Sequence, residues 1–566
     1  MIREAAPAPS PLTPGRQAIA VGLIILVHLS LCLLSLKDES PTIDEFAHLP
    51  AGAYYWKTGD FTLYGKNPPL VKLWCGWPLL AAGARVRTEP NFARAGDWRP
   101  WLYGTRFMRD NPVRYHDLFV IGRLPNLILS AALGLVVFFW SRALFGPAGG
   151  LISLGCWALS PNIMAHARLV TMDVGLCLFF TLTLYLTWRF LKRPGPTRAV
   201  LLGLSLGLAN LTKYTALLLL PILPLLFLVQ VLAAPADKRG TLFKHGLAGL
   251  IGAYLLSLLV LNAGYGFRNT PTDLRKMPAA SAFFQSLAAS PAGAWSWPAP
   301  RDYLSGLDRQ KKDTETGVFP NYLEGRFNQE GWWYYYTLAW VLKTPPAFQL
   351  LLLLSLAAAL YPFRGRSRAD LAYLALPLAV LWIILSFFNR IDAGVRYFLP
   401  AWPLLFVYAG SLAAVRIGRP RTRQAVAALL FAAWLIESLW VFPNYLAYFN
   451  PLYVKPSQAR FHLLDSNLDW GQDLKRLKTY MDRRGIDRIT LAYFGHADPA
   501  LYGIDYRPAG AGPVDGPLAV SANLVMGLPY LLTYLDPPVW IAPDTFAWLR
   551  DRTPSARVGG SILIYD

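Results

Sequence analysis

The chain has 566 residues, of which 54% are hydrophobic and 16% charged, and its mean hydropathy is +0.33. This composition predicts a membrane protein and excludes a disordered, a collagen-like or a disulfide-rich secreted chain. The net charge of +20 lies upstream of Pro443, because the last 124 residues contain 12 basic and 12 acidic side chains. The excess falls between hydrophobic segments, which is typical of membrane topology signals rather than of nucleic-acid binding. The cysteines show neither CxxC nor metal-ligand spacing, which predicts small buried side chains at Cys32, Cys75, Cys156 and Cys177.

Eleven apolar runs are candidates for membrane spans, since a helix needs about 20 apolar residues to cross the hydrocarbon core. We expect these spans near residues 17–36, 118–141, 148–164, 170–190, 198–212, 214–234, 246–264, 338–362, 369–388, 396–415 and 424–442. The run 198–212 is short, so half of a re-entrant hairpin is an alternative for it.

Basic residues in short loops predict which side of the membrane each loop occupies, because such loops stay cytoplasmic. If Arg3 and Arg16 are inside, every second loop is also basic, with Arg142, Arg189, Lys192, Arg193, Arg198, Lys238, Arg239, Lys244, Arg364, Arg366, Arg368, Arg416, Arg419, Arg421 and Arg423. The first segment lacks an A-x-A-like cleavage site, and we expect it to be retained as a helix. An odd number of spans then predicts a multi-pass protein of the inner (plasma) membrane with an extracytoplasmic C-terminus.

This topology divides the chain into three parts and places three segments on the outer face. We expect a cytoplasmic arm at 1–16, Pro-rich over 7–14 and disordered, and a transmembrane catalytic domain at 17–442. The outer segments are 37–117, 265–337 and the tail 443–566. The tail resembles a small α/β domain, with a helix over 469–484 opened by a capping box at Ser466 and β-like runs at 488–493, 517–522, 538–542 and 561–565.

An adjacent pair of acids, Asp44 and Glu45, directly follows the first span. The apolar and aromatic residues after it predict an interfacial helix in the first outer loop. Thr42-x-x-Glu45 matches a capping box, so Glu45 has a structural explanation that fits Asp44 less well. His48 shares a helical face with both acids, but two ligand types without another His or Cys make a metal site improbable.

Three further ionisable residues lie at the borders of predicted spans, where a charge is costly and therefore a functional candidate. Asp173 opens the fourth span, and an N-terminal capping role is an equal alternative. Arg396 enters the tenth span from the outer side, where arginine is disfavoured, so a phosphate partner is the better explanation. Lys343 lies in an apolar stretch beside the aromatic run 332–336 and is also a candidate for an anion. Carboxylates and isolated cations on one face suit a lipid-linked anionic substrate.

The motifs of the first outer loop resemble those of a known family, the GT-C superfamily of polyprenyl-phosphate-dependent glycosyltransferases. The resemblance is to the protein O-mannosyltransferase and aminoarabinose transferase group, which is glycosyltransferase family 39-like, and it covers most of residues 17–442. Its most specific part is Asp44-Glu45-x-x-His48, then Gly52-Ala53-Tyr54-Tyr55-x-x-Thr58-Gly59-Asp60 and Asn67-Pro68-Pro69-Leu70. Less specific similarities are Arg123-Leu124-Pro125, Leu159-Ser160-Pro161, Thr171-x-Asp173 and Arg396-Tyr397-x-x-Pro400.

The resemblance implies a polytopic α-helical fold and an inverting transfer of one sugar from a polyprenyl phosphate to an extracytoplasmic hydroxyl. Asp44 matches the proposed catalytic acid, with Glu45 secondary, and Asp173 matches the second acidic site. Arg396 and Arg123 match basic positions near the donor phosphate, and Lys343 is added from its place in the sequence. Asn67 departs from the family, because relatives often carry a charged residue or His before the Pro pair. No cofactor is implied, and a divalent metal is not indicated.

The polar run Asp465 to Asp473 in the tail is similar to a C-terminal domain of some bacterial members of this family. It is a candidate acceptor site, with Trp470 as a stacking surface, Asp469 as a polar contact and His48 nearby. Turn and capping chemistry explains much of the run without a ligand. The partners expected are therefore a lipid-linked donor, a protein, glycan or lipid acceptor and membrane lipids, with no nucleic acid.

Two rival interpretations remain open at the level of sequence. A transporter or flippase of lipid-linked sugars also places charges in spans, but it predicts symmetry between halves, and no matching halves are found. An inactive protein of the same fold is the other alternative.

Overall fold

A computed structural model of the chain describes residues 13–89, 96–317, 320–359, 368–414 and 420–566. Nearly all of the predicted N-terminal arm lies outside these ranges. Four arginines of the predicted inner loops also lie outside them, namely Arg364, Arg366, Arg416 and Arg419.

The described residues form twenty α-helices, in agreement with the predicted helical class. In chain order they are α1 Pro14–Leu36, α2 Ile43–Thr58, α3 Leu70–Ala81, α4 Arg99–Asp110, α5 Tyr115–Ala158, α6 Pro161–Ala167, α7 Asp173–Lys192, α8 Pro196–Asn210, α9 Leu219–Ala233, α10 Ala236–Gly264, α11 Ala282–Ala289, α12 Arg301–Thr316, α13 Tyr335–Lys343, α14 Pro346–Ala359, α15 Arg368–Phe387, α16 Ala401–Ala409, α17 Pro420–Val441, α18 Ala459–His462, α19 Leu474–Arg484 and α20 Ala522–Val525.

Eleven short strands accompany these helices. They are β1 Thr272–Asp273, β2 Ser296–Trp297, β3 Asn321–Leu323, β4 Arg326–Asn328, β5 Arg488–Ala492, β6 Asp505–Pro508, β7 Leu518–Ser521, β8 Tyr530–Leu532, β9 Val539–Ile541, β10 Ala556–Val558 and β11 Ile562–Tyr565. Five strands of the tail form one sheet in the order β10-β11-β7-β5-β6, with β5 parallel to both neighbours. Strands β5, β7, β9 and β11 fall within the predicted β-like runs, whereas β6, β8 and β10 were not predicted.

Six described helices are long and apolar enough to cross a membrane, or seven if α13 and α14 together form one broken span. The fold is therefore of the membrane type, but the predicted count of eleven spans is not confirmed. One reason is that the apolar run 338–362 bends by 114° between α13 and α14. Another is that α16, within the predicted span 396–415, has only 9 residues, because a 3₁₀ turn at Val395–Phe398 precedes it.

Two predicted spans, 118–141 and 148–164, correspond to the single long helix α5 and the start of α6. Gly146 interrupts α5 with a φ of +78°, a left-handed conformation that glycine adopts without a steric penalty. Pro147 follows directly and cannot donate a backbone hydrogen bond. The helix is therefore divided at this point into two apolar arms.

The three segments predicted to share the outer face contact one another. In the first and third segments, the Ser40 N–H donates to the Gln472 carbonyl at 3.0 Å. In the first and second, Lys66 pairs with Asp313 at 2.7 Å. In the second and third, Glu324 pairs with His462 at 2.8 Å. These contacts are what a common side of the membrane requires.

The tail does not have a core of its own. Buried residues of α19 and the sheet, including Leu474 and Ile489, join a cluster with Phe46, Tyr103 and Phe107 of the first outer segment. Helix α19 begins at Leu474 rather than 469, so the predicted capping box at Ser466 is wrong. The Ser466 hydroxyl instead donates to the Ala393 carbonyl at 2.6 Å.

Candidate active site

The N-terminus of α2 places two adjacent carboxylates in one helical turn. The helix begins at Ile43, and Thr42 with Glu45 forms the predicted capping box. A Glu45 oxygen accepts from the Thr42 N–H at 3.0 Å and from its hydroxyl at 3.1 Å. Neighbouring residues of a helix point about 100° apart, so Asp44 and Glu45 face different surroundings.

Glu45 pairs with Arg123 of α5 in a site from which solvent is excluded, both side chains being 0% exposed. The carboxylate accepts from Arg123 Nε at 2.8 Å and Nη2 at 2.7 Å, and also from the Val170 N–H at 2.8 Å. Burial alone would raise the pKa of Glu45, but Arg123 and the backbone donors lower it overall. The pair is thus ionised and fully hydrogen-bonded.

The remaining donors of Arg123 also bind the protein. Its Nη1 donates to the carbonyls of Leu36 at 3.0 Å and Glu39 at 2.8 Å, and Nη2 donates to Ser40 at 3.1 Å. A guanidinium has five N–H donors, so no donor is left for a phosphate. The structure therefore shows Arg123 and Glu45 bound to each other and to the backbone, and the roles expected for them, holding the donor and sharing the chemistry, stay predictions.

Asp44 lies on a different side of α2 and pairs with Arg396. Asp44 Oδ2 is 2.7 Å from Arg396 Nη1, and the two side chains are 20% and 12% exposed. The same Nη1 is 3.9 Å from Oδ2 of Asp173, which is the first residue of α7. Three of the predicted site residues therefore meet, although they are far apart in sequence.

Lys213 completes this group, which we call the Asp44 cluster: Asp44, Asp173, Lys213 and Arg396. Lys213 Nζ donates to Asp173 Oδ1 at 2.7 Å. The Tyr397 ring lies beside both cations, 4.6 Å from Lys213 Nζ and 5.3 Å from the Arg396 guanidinium carbon. The cluster therefore contains two acids and two bases, with an aromatic ring against the cations.

Two atoms of the cluster have unused hydrogen-bonding capacity. Both atoms are buried: Arg396 Nε donates no hydrogen bond, and Asp173 Oδ2 accepts none. His166 Nδ1 lies 3.9 Å from Asp173 Oδ2 and is also without a hydrogen-bond partner. Unpartnered buried polar atoms are costly, and these three atoms keep the capacity to form a hydrogen bond with a ligand. Arg396 thus differs from Arg123, whose donors are all occupied.

The other predicted site residues are placed less favourably. Lys343 is buried and its Nζ donates to the carbonyls of Leu446 at 2.8 Å and Asn467 at 2.5 Å. His48 is buried, and its Nδ1 is 3.1 Å from the Val170 carbonyl. Burial lowers the pKa of His48 to about 4, which keeps the ring neutral at physiological pH. The Lys343 contacts fix backbone segments, whereas His48 Nε2 has no hydrogen-bond partner.

The predicted acceptor residues of the tail are also buried. Trp470 is 1% exposed, and its ring covers the Arg396 guanidinium at 4.3 Å. Asp469 is buried, and its Oδ1 accepts from the Gly471 N–H at 3.2 Å. Both side chains are buried, and Asp469 Oδ2 has no hydrogen-bond partner, so acceptor binding by these residues stays a prediction.

Sequence reasoning missed Lys213 and His166. A lysine inside a membrane-border segment is itself a functional signal, and this signal could have found Lys213. Burial raises the pKa of Asp465 to about 6, while the nearby Arg396 lowers it and Asp44 raises it further. In the described part of the chain, no group of three or more His, Cys, Asp or Glu side chains is arranged to hold a metal ion.

Comparison with known proteins identifies part of the chain. Residues 116–265 match the family model described as dolichyl-phosphate-mannose-protein mannosyltransferase. This segment contains Arg123, His166, Asp173 and Lys213. Over this segment, the predicted resemblance to the lipid-phosphate-dependent glycosyltransferases is confirmed. No curated protein matches the chain as a whole or in part.

Several solved structures are similar to the chain at low sequence identity. ArnT from Cupriavidus metallidurans bound to undecaprenyl phosphate has 13% identity and a TM-score of 0.48 over 96% of this chain and 97% of that one. The protein O-mannosyltransferase Pmt1-Pmt2 complex of S. cerevisiae bound to the sugar donor has 12% identity and a TM-score of 0.48 over 76% and 90%. The archaeal oligosaccharyltransferase AglB from Archaeoglobus fulgidus has 12% identity and a TM-score of 0.49 over 90% and 69%.

Proposed function

We propose that this protein is an inverting glycosyltransferase that moves one monosaccharide from a polyprenyl-phosphate donor to an acceptor hydroxyl. The observation that carries the proposal is the half-buried ion pair of Asp44 and Arg396, which combines a carboxylate with a guanidinium that has an unused donor. The matched family segment supports a lipid-phosphate-linked donor.

Asp44 is the proposed general base. The acceptor hydroxyl gives its proton to the Asp44 carboxylate while its oxygen forms a bond to the anomeric carbon. The bond between that carbon and the phosphate oxygen breaks on the opposite face, and its electron pair leaves with the polyprenyl phosphate. The sugar configuration is thereby inverted.

Arg396 is the proposed ligand of the departing phosphate. Guanidinium groups bind phosphate through two parallel N–H donors, and Nε of Arg396 is free for such a contact. When the phosphate binds the Arg396 guanidinium, it replaces Asp44 as the partner of that group. The Asp44 carboxylate can then accept a hydrogen bond from the hydroxyl of the acceptor substrate. Asp173 then stays neutralised by Lys213, so the binding of one more anion does not leave it unpaired.

We further propose that the reaction takes place on the extracytoplasmic face of the inner membrane, with the N-terminus inside and residues 17–442 as the catalytic domain. The contacts among the outer segments support a common side for them. The sugar, hexose or pentose, and the acceptor, a protein Ser/Thr, a lipid-linked glycan or a lipid phosphate, remain to be identified. The comparisons give no support to a transporter or flippase.

The test is a transfer assay on detergent-purified protein with a panel of polyprenyl-phosphate-linked sugars and extracted acceptors. Mass spectrometry follows released polyprenyl phosphate, which is a product with every sugar. Asp44→Asn is expected to lower the rate by about 10²–10⁴-fold, the usual contribution of a general base.

A matched control is Asp505→Asn, which removes an exposed carboxylate that pairs with Arg488 at 3.2 Å. An exposed pair contributes little, so this variant should keep the wild-type rate. Wild-type turnover by Asp44→Asn would refute the assignment of the base. Release of no polyprenyl phosphate from any donor by the wild type would refute the proposed function.

A further inference from the structure

Trp470, in the tail, contacts Arg396 and the residue that precedes Asp44. Its carbonyl accepts from the Ile43 N–H at 3.0 Å, at the start of the helix that carries Asp44. Its ring covers the guanidinium carbon of Arg396 at 4.3 Å. The first four N–H groups of a helix have no partner within it, so this carbonyl supplies one from outside. One residue therefore contacts both the backbone that carries Asp44 and the side chain of Arg396.

The residues around Trp470 attach to the same two backbone segments. The Ser40 N–H donates to the Gln472 carbonyl at 3.0 Å, two residues after Trp470. On the other side, Asn467 Oδ1 accepts from the Val395 N–H at 2.9 Å. The run 465–473 thus connects the segment before Asp44 with the segment before Arg396, which are about 350 positions apart.

The indole itself is held in one orientation by burial. It packs in a cluster with Cys32, Met164 and Val174 from three helices of the membrane region. The backbone N–H of Trp470 donates to Gln472 Oε1 at 2.8 Å, which fixes the main chain at this residue. A ring so constrained presents one face to Arg396 without further loss of side-chain entropy.

We infer that Trp470 is a positioning residue, which sets the distance and orientation of Asp44 and Arg396 through its carbonyl and its indole face. It touches no substrate in this role, and it acts through the two residues that do. The inference rests on the proposed function for its consequence in catalysis, but its structural part is independent of any ligand.

The ligand-free test is hydrogen exchange, followed by mass spectrometry, on the full-length protein in detergent. Trp470→Leu removes the cation–π contact that stabilises the position of Arg396. Amide exchange should therefore become about threefold faster or more in peptides covering 40–48 and 392–398. Trp470→Phe restores an aromatic face and should return both peptides toward the wild-type rate. A ring that only filled space would be replaced equally well by Leu and Phe.

Trp434→Leu is the matched control for loss of a buried indole. Trp434 is as buried as Trp470 but stacks on Phe348 and Phe431, away from the cluster. It should lower the melting temperature and leave exchange at 40–48 and 392–398 unchanged. If Trp470→Leu does not fold, Trp470→Phe and Trp434→Phe make the same comparison. Exchange at the two peptides should then become about twofold faster in Trp470→Phe and stay unchanged in Trp434→Phe.

The functional test is a double-mutant cycle on binding of undecaprenyl phosphate to the solubilised protein. Trp470→Leu should weaken binding about tenfold when Arg396 is present, and should have no added effect in an Arg396→Ala background. Trp470→Phe should recover most of the affinity.

The outcomes separate this inference from the proposed function. Equal losses in both backgrounds, or unchanged exchange at both peptides, would overturn the positioning role. Faster exchange at both peptides in a protein whose wild type does not bind undecaprenyl phosphate would support the positioning role and overturn the proposed donor.

Discussion

Asp44 and Glu45 are neighbours in sequence, and each pairs with an arginine at 2.7 Å, yet the two pairs differ in every other respect. The Glu45 and Arg123 pair is fully excluded from solvent, and all five guanidinium donors bind the protein. The Asp44 and Arg396 pair is partly exposed, and Arg396 keeps an unpartnered Nε. The distance between the charges does not separate structural from functional pairs. These two pairs differ in the donor capacity that the protein leaves unused.

The same comparison separates the lysines. Lys343 and Lys72 are buried and donate to backbone carbonyls, so they hold loops in place. Lys213 is also buried, but it pairs with a carboxylate inside the cluster. Only the last of these three cations lies where a substrate anion would change its environment.

The largest effect on stability is expected from breaking the Glu45 and Arg123 pair. Glu45→Gln leaves the Arg123 charge buried without a counterion, and loss of one member of a buried pair usually costs about 3–5 kcal/mol. We expect a large drop in melting temperature, measured by fluorescence or calorimetry in detergent. Asp44→Asn removes the adjacent charge from a partly exposed pair and should change the melting temperature far less. Equal destabilisation by the two variants would contradict the comparison.

Breaking the Asp44 and Arg396 pair should affect ligand binding rather than stability. Arg396→Ala should weaken binding of undecaprenyl phosphate by well over an order of magnitude, because removing one partner of a desolvated charge pair costs about 2–5 kcal/mol. Arg396→Lys keeps the charge without the planar fork and should recover part of the affinity. Isothermal calorimetry with phosphatidylglycerol as a control lipid distinguishes this site from general attraction of anions. Wild-type affinity in Arg396→Ala would place the phosphate elsewhere.

The smallest expected effect concerns the loop that carries Arg396. Burial raises the pKa of Asp392 to about 7, although a hydrogen bond from the Trp332 N–H opposes this. A carboxyl whose pKa is higher when folded stabilises the protein below its unfolded pKa, and this stability is lost as the pH rises to 7. Asp392→Asn should therefore melt slightly higher than wild type at pH 8, and the difference should disappear near pH 4. A constant difference across this range would contradict the assignment.

The part of the site that could be predicted is the part with an energetic signature along the chain. Asp44, Asp173 and Arg396 were found because a charge at a membrane border is costly, and the capping box identified Glu45 from four consecutive residues. The fate of Arg123 could not be predicted, because its acceptors are backbone carbonyls at 36, 39 and 40 whose direction depends on tertiary packing. The burial of Trp470 could not be predicted either, because it also depends on tertiary packing.

The membrane helices show a similar division. Long continuous apolar runs such as α1 and α15 were predicted with nearly their observed bounds. The runs that were miscounted are those interrupted by turns, at Gly146, at 344–345 and at 395–398. Hydrophobicity records that such a run avoids water, but not whether it continues in one direction.

The contact between the Ile43 N–H and the Trp470 carbonyl also has a consequence for the order of assembly during synthesis. A ribosome that has made the whole membrane region, to residue 442, has not yet made the group that completes the first turn of α2. The segment bearing Asp44 therefore waits for a further stretch of chain before its N-terminus gains that partner. Chains released early, by a stop codon or by proteolysis before Trp470, would carry every residue of the Asp44 cluster and lack this hydrogen bond and the indole that covers Arg396.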